Sequence, residues 1–211
     1  SAGELPLGVS VDLTGASDQL DATRASLGSN MWVAVMLCFL QLVIIYRHWG
    51  YPFLILVTVP LGISGGIVGL WLLNFVGGLL PQFGMAPIRQ PFDMITMLGF
   101  LILLGTSVNN PILIVERTMA RAKEGLDAVA AVRDAMRARL RPILMTTATT
   151  LMGLSPLVFL PGAGTELYRG VGAIVLFGLA CSAVITLTFL PALLVTVLQV
   201  GEWFKARKKA A

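Results

Sequence analysis

The stretch VGAIVLFGLACSAVITLTFLPALLVTVLQV, residues 171–200, contains no charged residue in 30 positions. A helix needs about 20 predominantly apolar residues to cross the hydrocarbon core of a bilayer, which is about 30 Å thick. This stretch is therefore long enough to cross a membrane with tilt, or to extend beyond it. Lipid, rather than water, is the solvent that such a segment requires.

Four further apolar runs precede this stretch, and together they predict an all-α integral membrane protein with five transmembrane helices. The residues before the first run contain no helix breaker until Gly28, so the first helix is expected to continue outward from the membrane. The predicted spans are approximately 29–46, 52–73, 93–116, 142–160 and 169–200.

The overall composition supports this interpretation. Hydrophobic residues make up 56% of the chain, charged residues make up 12%, and the mean hydropathy is +0.85. Soluble domains carry about 25% charged residues, so this chain could not cover a water-facing surface. The two cysteines, Cys38 and Cys181, lie in separate apolar runs without motif spacing. We therefore predict no disulfide, no metal site and no cofactor.

The basic residues are distributed unevenly between the two sides of the predicted membrane. Twelve lie in the connection 47–51, the segment 117–141 and the basic tail 201–211, and the other three are Arg24, Arg89 and Arg169. Because lysine and arginine are enriched in cytoplasmic loops, the C-terminus is predicted to be cytoplasmic and the N-terminus to be outside. This placement also accounts for the net charge of +4 without a nucleic-acid partner.

Two segments outside the spans have their own periodicity. Apolar residues recur at helical spacing through the polar segment after the third span, which predicts an amphipathic helix over 118–140 along the inner membrane surface. In PLGVSVDLTG, residues 6–15, apolar and polar residues alternate, as in a half-buried β-strand. A single strand is not stable alone, so we expect its partners to lie in another part of a longer protein.

The second span contains four glycines with spacings of the small-xxx-small type. Glycine lets two helix backbones approach closely in a membrane, and we therefore interpret these residues as a helix-packing surface. They are Gly62, Gly65, Gly66 and Gly69.

Polar residues inside the third and fourth spans predict a polar seam between these two helices. The third span carries GTSVNN, residues 105–110, and the fourth carries MTTATT, residues 145–150. Asparagine in a membrane is unfavourable unless its amide finds partners. The seam is either interhelical hydrogen bonding or a relay for protons or substrate. No carboxylate lies in mid-span, so the chain alone is not expected to be driven by protons.

At this point the sequence resembles a known family of membrane transporters. The segments GTSVNNPILIVER (105–117), EGLDAVAAVRDAMRARLRPILMTT (124–147) and GLSPLVFLPGAGTELYRGVGAIV (153–175) are similar to transmembrane helices 8 to 12 of resistance–nodulation–division (RND) permeases of the hydrophobe/amphiphile exporter type, the acriflavine-resistance-protein-like group. The resemblance covers essentially the whole chain. It identifies residues 1–28 with the end of a periplasmic porter region and 29–200 with a transmembrane bundle.

The resemblance also implies an activity and partners. Such permeases are inner-membrane homotrimers of twelve-helix protomers that export amphiphiles by proton antiport, together with a periplasmic adaptor and an outer-membrane channel. In the family, a proton relay joins a carboxylate pair and a lysine to a threonine and an arginine. The threonine corresponds to Thr146 and the arginine to Arg139. The lysine corresponds to Asn109, beside Asn110, and this departure implies a divergent coupling scheme because asparagine carries no charge.

Two other functions are compatible with the sequence. One is an RND-fold membrane scaffold or secretion accessory protein without export activity. The other is an intramembrane enzyme, for which the sequence offers no catalytic constellation. The substrate is not indicated by this sequence, since the porter region that would select it is almost absent.

Overall fold

The computed structural model describes residues 16–47, 49–83 and 87–210. These form six α-helices: α1 (Ala16–Tyr46), α2 (Gly50–Leu79), α3 (Met94–Ser107), α4 (Asn109–Lys123), α5 (Ala128–Phe159) and α6 (Ala163–Ala210). One 3₁₀ turn, Leu80–Phe83, follows α2. Within the ranges given, no residue is in a β-strand, and the predicted all-α class is confirmed. The strand predicted over 6–15 lies outside the described residues.

Four segments are long and apolar enough to cross a membrane, and they coincide with the last four predicted spans to within one residue or extend beyond them. They are Gly50–Gln82, Met94–Lys123, Ala128–Phe159 and Gly164–Gly201. The first predicted span lies on α1, whose apolar part is the shorter segment Asn30–Tyr46. These 17 residues rise about 26 Å at about 1.5 Å per residue, which is close to the thickness of the hydrocarbon core. As expected, α1 continues beyond Gly28 toward the N-terminus.

Helix α6 lies at the centre of the bundle and packs against α2, α3 and α5. The glycines of the second span make its approach to α2 possible. A Cβ added at Gly62 would lie 3.2 Å from the Cβ of Ser182, and one at Gly66 would lie 3.0 Å from the Ile174 carbonyl oxygen. At Gly69 an added Cβ would collide with Phe177. A Cβ added at Gly65 would likewise collide with the Cys181 side chain.

The third predicted span is interrupted at Val108, where α3 ends and α4 begins. The cause is Pro111, which has no N–H to donate to the carbonyl of Ser107 and whose ring clashes with that carbonyl in a regular helix. Hydrogen bonding resumes one residue later, where the Ile112 N–H donates to the Val108 carbonyl over 3.2 Å. The break therefore lies three residues before Pro111, about one helical turn earlier.

The prediction of a separate amphipathic helix over 118–140 was wrong in its bounds. The structure divides this segment between the end of α4 and the beginning of α5, and each helix is continuous with its span. The intervening turn places Gly125 at a φ of +93°, and the Asp127 side chain caps α5 by accepting from the Val129 N–H over 3.3 Å. Glycine tolerates this left-handed conformation, and aspartate is a favoured N-cap residue.

Polar contacts hold the two arms of this hairpin together. The Nε atoms of Arg121 and Arg117 donate to the same carboxylate oxygen of Asp134 over 2.7 Å and 3.3 Å. Ala131 and Ala135, on the same helix as Asp134, are completely buried. The apolar face that the sequence predicted is thus covered at least partly by protein.

Helix α5 lies at the edge of the bundle. Only 11% of its most apolar 18-residue window is buried inside the chain, against 56% for α6. Its membrane segment therefore presents most of its surface away from the other helices of this chain. This exposed helix carries the threonines that the sequence placed in the polar seam.

Candidate functional site

A cavity of about 290 Å³, lined mostly by threonine and asparagine residues, lies between the α3–α4 break and α5. Its wall brings together residues from both halves of the predicted seam, with two leucines completing it. The lining residues are Thr106, Asn109, Asn110, Leu113, Thr146, Thr147, Thr150 and Leu179. The break at Val108 positions the part of the seam that comes from the third span. It places Thr106 at the end of α3 and the two asparagines at the start of α4.

Three of the four threonine hydroxyls that line the cavity donate to carbonyl groups of their own helices. The Thr106 Oγ1 donates to the Ile102 carbonyl over 2.8 Å. Thr146 Oγ1 donates to the Pro142 carbonyl over 3.1 Å, and Thr150 Oγ1 donates to the Thr146 carbonyl over 2.9 Å. A hydroxyl has one donor and two acceptor lone pairs. With their donors used within the helix, these oxygens remain available to accept hydrogen bonds from the cavity.

The two asparagines lie in the first turn of α4 and have free side-chain amides. Within the described part of the chain, neither amide has a hydrogen-bond partner. Asn110 is half-buried, whereas Asn109 is exposed. Asn109 also lines a second cavity of about 410 Å³ between α1 and α3, together with Cys38 and Gln41. Each amide offers two donors and one acceptor group, so both can bind a polar guest.

The two sides of the seam are not joined by a hydrogen bond between described residues. Helix α4, which carries both asparagines, packs against α5, whereas α3 does not. Across the cavity, no hydrogen bond between described residues joins Asn109 or Asn110 to Thr146. Of the two interpretations of the seam, direct hydrogen bonding between the helices is therefore not observed among the described residues.

Arg139 is placed apart from this group. It is partly buried on α5 and does not line the cavity. It precedes Thr146 by seven residues, which is two helical turns or about 10 Å along the helix axis. The structure therefore gathers Asn109, Asn110 and Thr146 around one cavity and leaves Arg139 beyond its end, on nearly the same face of α5.

The seam contains no group that titrates near neutral pH. Its described lining consists of hydroxyl, amide and apolar side chains, and asparagine and threonine do not exchange protons in this range. The nearest acidic residue in sequence, Glu116, lies on the exposed surface of α4. This chain can therefore position water or a polar guest in the seam, but it holds no proton there by itself.

Sequence reasoning missed a polar network at the opposite end of the bundle. Asn74 and Gln90 exchange two hydrogen bonds, of 2.9 Å and 2.7 Å, and the Gln90 Nε2 donates to the Glu166 carbonyl over 2.7 Å. Arg169 is buried beside this network. The residues are too far apart in sequence for any spacing pattern to connect them, and only the fold brings them together.

Comparison with known proteins identifies the family. The model of the AcrB/AcrD/AcrF family matches residues 1–198. The chain belongs to this family. The resemblance to RND permeases that the sequence suggested is therefore confirmed.

Several relatives of known name lie within the same family. The chain is 32% identical to the multidrug resistance protein MdtF of Escherichia coli O6:H1 over 203 residues, which are 96% of this chain and 18% of MdtF. It is 32% identical to the multidrug export protein AcrF of E. coli K12 over 93% of this chain and 18% of AcrF. For the toluene efflux pump membrane transporter TtgB of Pseudomonas putida, the identity is 29%, covering 93% of this chain and 17% of TtgB.

A solved structure shares the fold. The crystal structure of a heavy metal efflux pump matches with a TM-score of 0.70 and 28% sequence identity, covering 90% of this chain and 18% of that pump. The chain thus spans less than one fifth of the length of these family members. Their names describe efflux of different classes of compound, from organic drugs to metals.

Proposed function

We propose that this chain forms part of the transmembrane proton-relay seam of an RND permease that exports hydrophobic or amphiphilic compounds at the expense of the proton-motive force. The observation that carries the proposal is the single cavity lined by Asn109, Asn110 and Thr146. These polar groups come from two sides of the bundle and make no bond to each other, as a hydrated path requires.

In this scheme the seam conducts protons through ordered water. One water molecule occupies about 30 Å³ in the liquid, so a cavity of 290 Å³ has room for several. The threonine oxygens accept hydrogen bonds from these waters, and the asparagine amides both donate and accept. The charged groups that take up and release the proton belong to the rest of the permease, because Asn109 cannot replace a lysine as a charged partner.

The proposed setting is the bacterial inner membrane, with the hairpin between α4 and α5 in the cytoplasm. The rest of the permease, helices 1 to 7 and the porter domains, completes the protomer, and three protomers form the transporter with an adaptor and an outer-membrane channel. The exposed membrane face of α5 supports this arrangement, since only 11% of its most apolar 18-residue window is buried and further helices of the same protomer have room to pack there.

A second candidate function is an RND-fold scaffold or secretion accessory protein without export activity. The observation that favours it is Asn109 at the position where the family resemblance implies a lysine. The sequence of the full-length protein separates the two functions. Acidic residues in its fourth helix support antiport, and their absence excludes it.

The proposal is tested by substituting the seam residues in the full-length permease. Asn109→Ala and Thr146→Ala are expected to abolish substrate export at near-normal protein levels, because each removes a polar group from the water path. Thr188→Ala is the matched control. Thr188 also donates to its own helix, to the Val184 carbonyl over 2.7 Å, but it does not line the cavity.

The readout is the export rate of an amphiphilic dye from cells, normalised to the amount of protein in the membrane. Export by Asn109→Ala and Thr146→Ala at the rate of Thr188→Ala would contradict the proposal. It would reduce the polar residues of the seam to a structural role.

A further inference from the structure

Arg169 is a buried cation, and the described part of the chain offers it no counter-charge. It lies near the beginning of α6 with 6% of its surface exposed. Its Nη2 donates to the Leu160 carbonyl over 3.2 Å, whereas its Nε has no hydrogen-bond partner in the described structure. No carboxylate oxygen of a described residue lies within the 4.0 Å of an ion pair. Buried charges in proteins are normally paired, so an anionic partner is missing here.

A cavity of about 450 Å³ adjoins this arginine. It lies between the C-terminal end of α2, the segment after residue 86 and the α5–α6 connection. Apart from Arg169 and Glu166, its lining is apolar and includes Leu73, Val76, Ile88 and Phe159. Its volume falls in the range of about 300–1,000 Å³ that is typical of small-molecule sites.

The mouth of this cavity is surrounded by exposed apolar surface. Val76 and Phe159, which line it, are 48% and 54% exposed, and they belong to helices that are long enough to cross the membrane. The basic residues predict that this end of the bundle faces outward. The cavity therefore opens toward the acyl chains of the outer leaflet rather than toward bulk water.

Glu166 adds a negative charge at the rim of the same cavity. It precedes Arg169 by three residues, yet the two side chains do not form an ion pair. The Glu166 carbonyl is held by the Gln90 Nε2 over 2.7 Å, and the Gln90 backbone is held in turn by Asn74. The cavity thus presents one fixed cation and one separate anion beside an apolar wall.

We propose that this cavity binds a phospholipid with a zwitterionic amine headgroup, of the phosphatidylethanolamine type. The lipid phosphate bonds to the Arg169 guanidinium, which suits phosphate oxygens because its donors form a planar fork. The headgroup ammonium binds Glu166, and one acyl chain lies along the apolar wall. A simple anion is less suitable, since Glu166 would repel it and the apolar wall would remain unused.

The inference rests on placement in the membrane and is independent of the proposed export activity. It is tested by native mass spectrometry of the detergent-purified full-length permease. The protein is titrated with phosphatidylethanolamine, phosphatidylglycerol and phosphatidylcholine that carry identical acyl chains. The unmodified protein is expected to bind phosphatidylethanolamine at least fivefold more tightly than the other two lipids.

Three variants assign the contacts. Arg169→Gln is expected to weaken phosphatidylethanolamine binding at least tenfold, and Glu166→Gln to remove the preference over phosphatidylglycerol. Val76→Trp fills the cavity from an exposed position and leaves both charged groups in place, so it tests the site even where Arg169→Gln fails to fold. Arg89→Gln is the matched control, because Arg89 is exposed on the segment that carries Ile88 but does not line the cavity.

Several results would overturn the proposal. Equal binding of the three lipids by the unmodified protein would exclude the headgroup assignment. Unchanged phosphatidylethanolamine binding by folded Val76→Trp would exclude the cavity, and an unchanged preference in Glu166→Gln would exclude the ammonium contact. Detection of no bound lipid would indicate that another part of the permease chain fills the site. None of these results depends on whether the protein exports a substrate.

Discussion

Gly69 lies where α2 crosses α6, with the base of the Phe177 side chain directly against it. The sequence predicted that this glycine belongs to a packing surface, since its spacing from Gly65 follows the small-xxx-small pattern. The sequence did not indicate which helix packs there. Every other span is apolar, and only the three-dimensional arrangement selects Phe177 and Cys181 as neighbours.

Gly69→Ala is expected to destabilise the protein, because the new methyl group would overlap Phe177. Overpacking of this kind costs about 1–3 kcal/mol, which exceeds the gain of up to about 1 kcal/mol from replacing a helical glycine by alanine. Gly78→Ala is the matched control on the same helix, since an added Cβ there meets no atom within 4 Å. The midpoint of thermal unfolding in detergent is measured for both variants. A Gly69→Ala protein as stable as the Gly78→Ala protein would contradict the packing of Gly69 against Phe177.

At the scale of whole elements, the spans were predictable because long apolar runs leave a helix few alternatives in lipid. The predicted bounds of 118–140 missed the hairpin between α4 and α5, although the apolar residues at helical spacing begin only at Leu126. Two residues of the sequence nevertheless indicate a turn at this point. Gly125 suits the left-handed turn, and Asp127 suits the N-cap of the next helix.

Pro111→Ala is expected to join α3 and α4 into one helix, because the restored N–H can donate to the Ser107 carbonyl. Amide hydrogen exchange of the peptide 105–112 should slow, and substrate export by the full-length permease should fall as the cavity changes shape. Pro60→Ala is the control, since Pro60 is exposed on α2, which continues through it without a break. Unchanged exchange in Pro111→Ala would show that another interaction causes the break at Val108.

At the scale of the whole molecule, α6 is the central helix and α5 lies at the edge. The polar seam was predictable from the asparagines and threonines, because such residues are rare in membrane spans. Its form as a cavity was not predictable, since this depends on the break at Val108 and on the distance between α3 and α5. The position of Arg139 beyond the cavity likewise follows from the fold, although the family resemblance groups it with Thr146.

The predicted orientation can be tested with single cysteines in the full-length permease after Cys38 and Cys181 are replaced by serine. A membrane-impermeant maleimide should label Gly164→Cys in spheroplasts, because the α5–α6 connection is predicted to be outside. It should label Ala130→Cys only after the membrane is disrupted. Both positions are exposed, so accessibility does not favour either. The reverse pattern of labelling would overturn the assignment from basic residues.

The most direct test of the proton-relay seam is a measurement of proton movement through the full-length permease in proteoliposomes. A pH-sensitive dye inside the vesicles reports the proton flux that accompanies substrate transport. The unmodified protein and Thr188→Ala should show coupled flux, whereas Thr146→Ala and Asn109→Ala should show none. Substrate transport without proton flux in the unmodified protein, or equal flux in Thr146→Ala and Thr188→Ala, would contradict the proposed role of the seam.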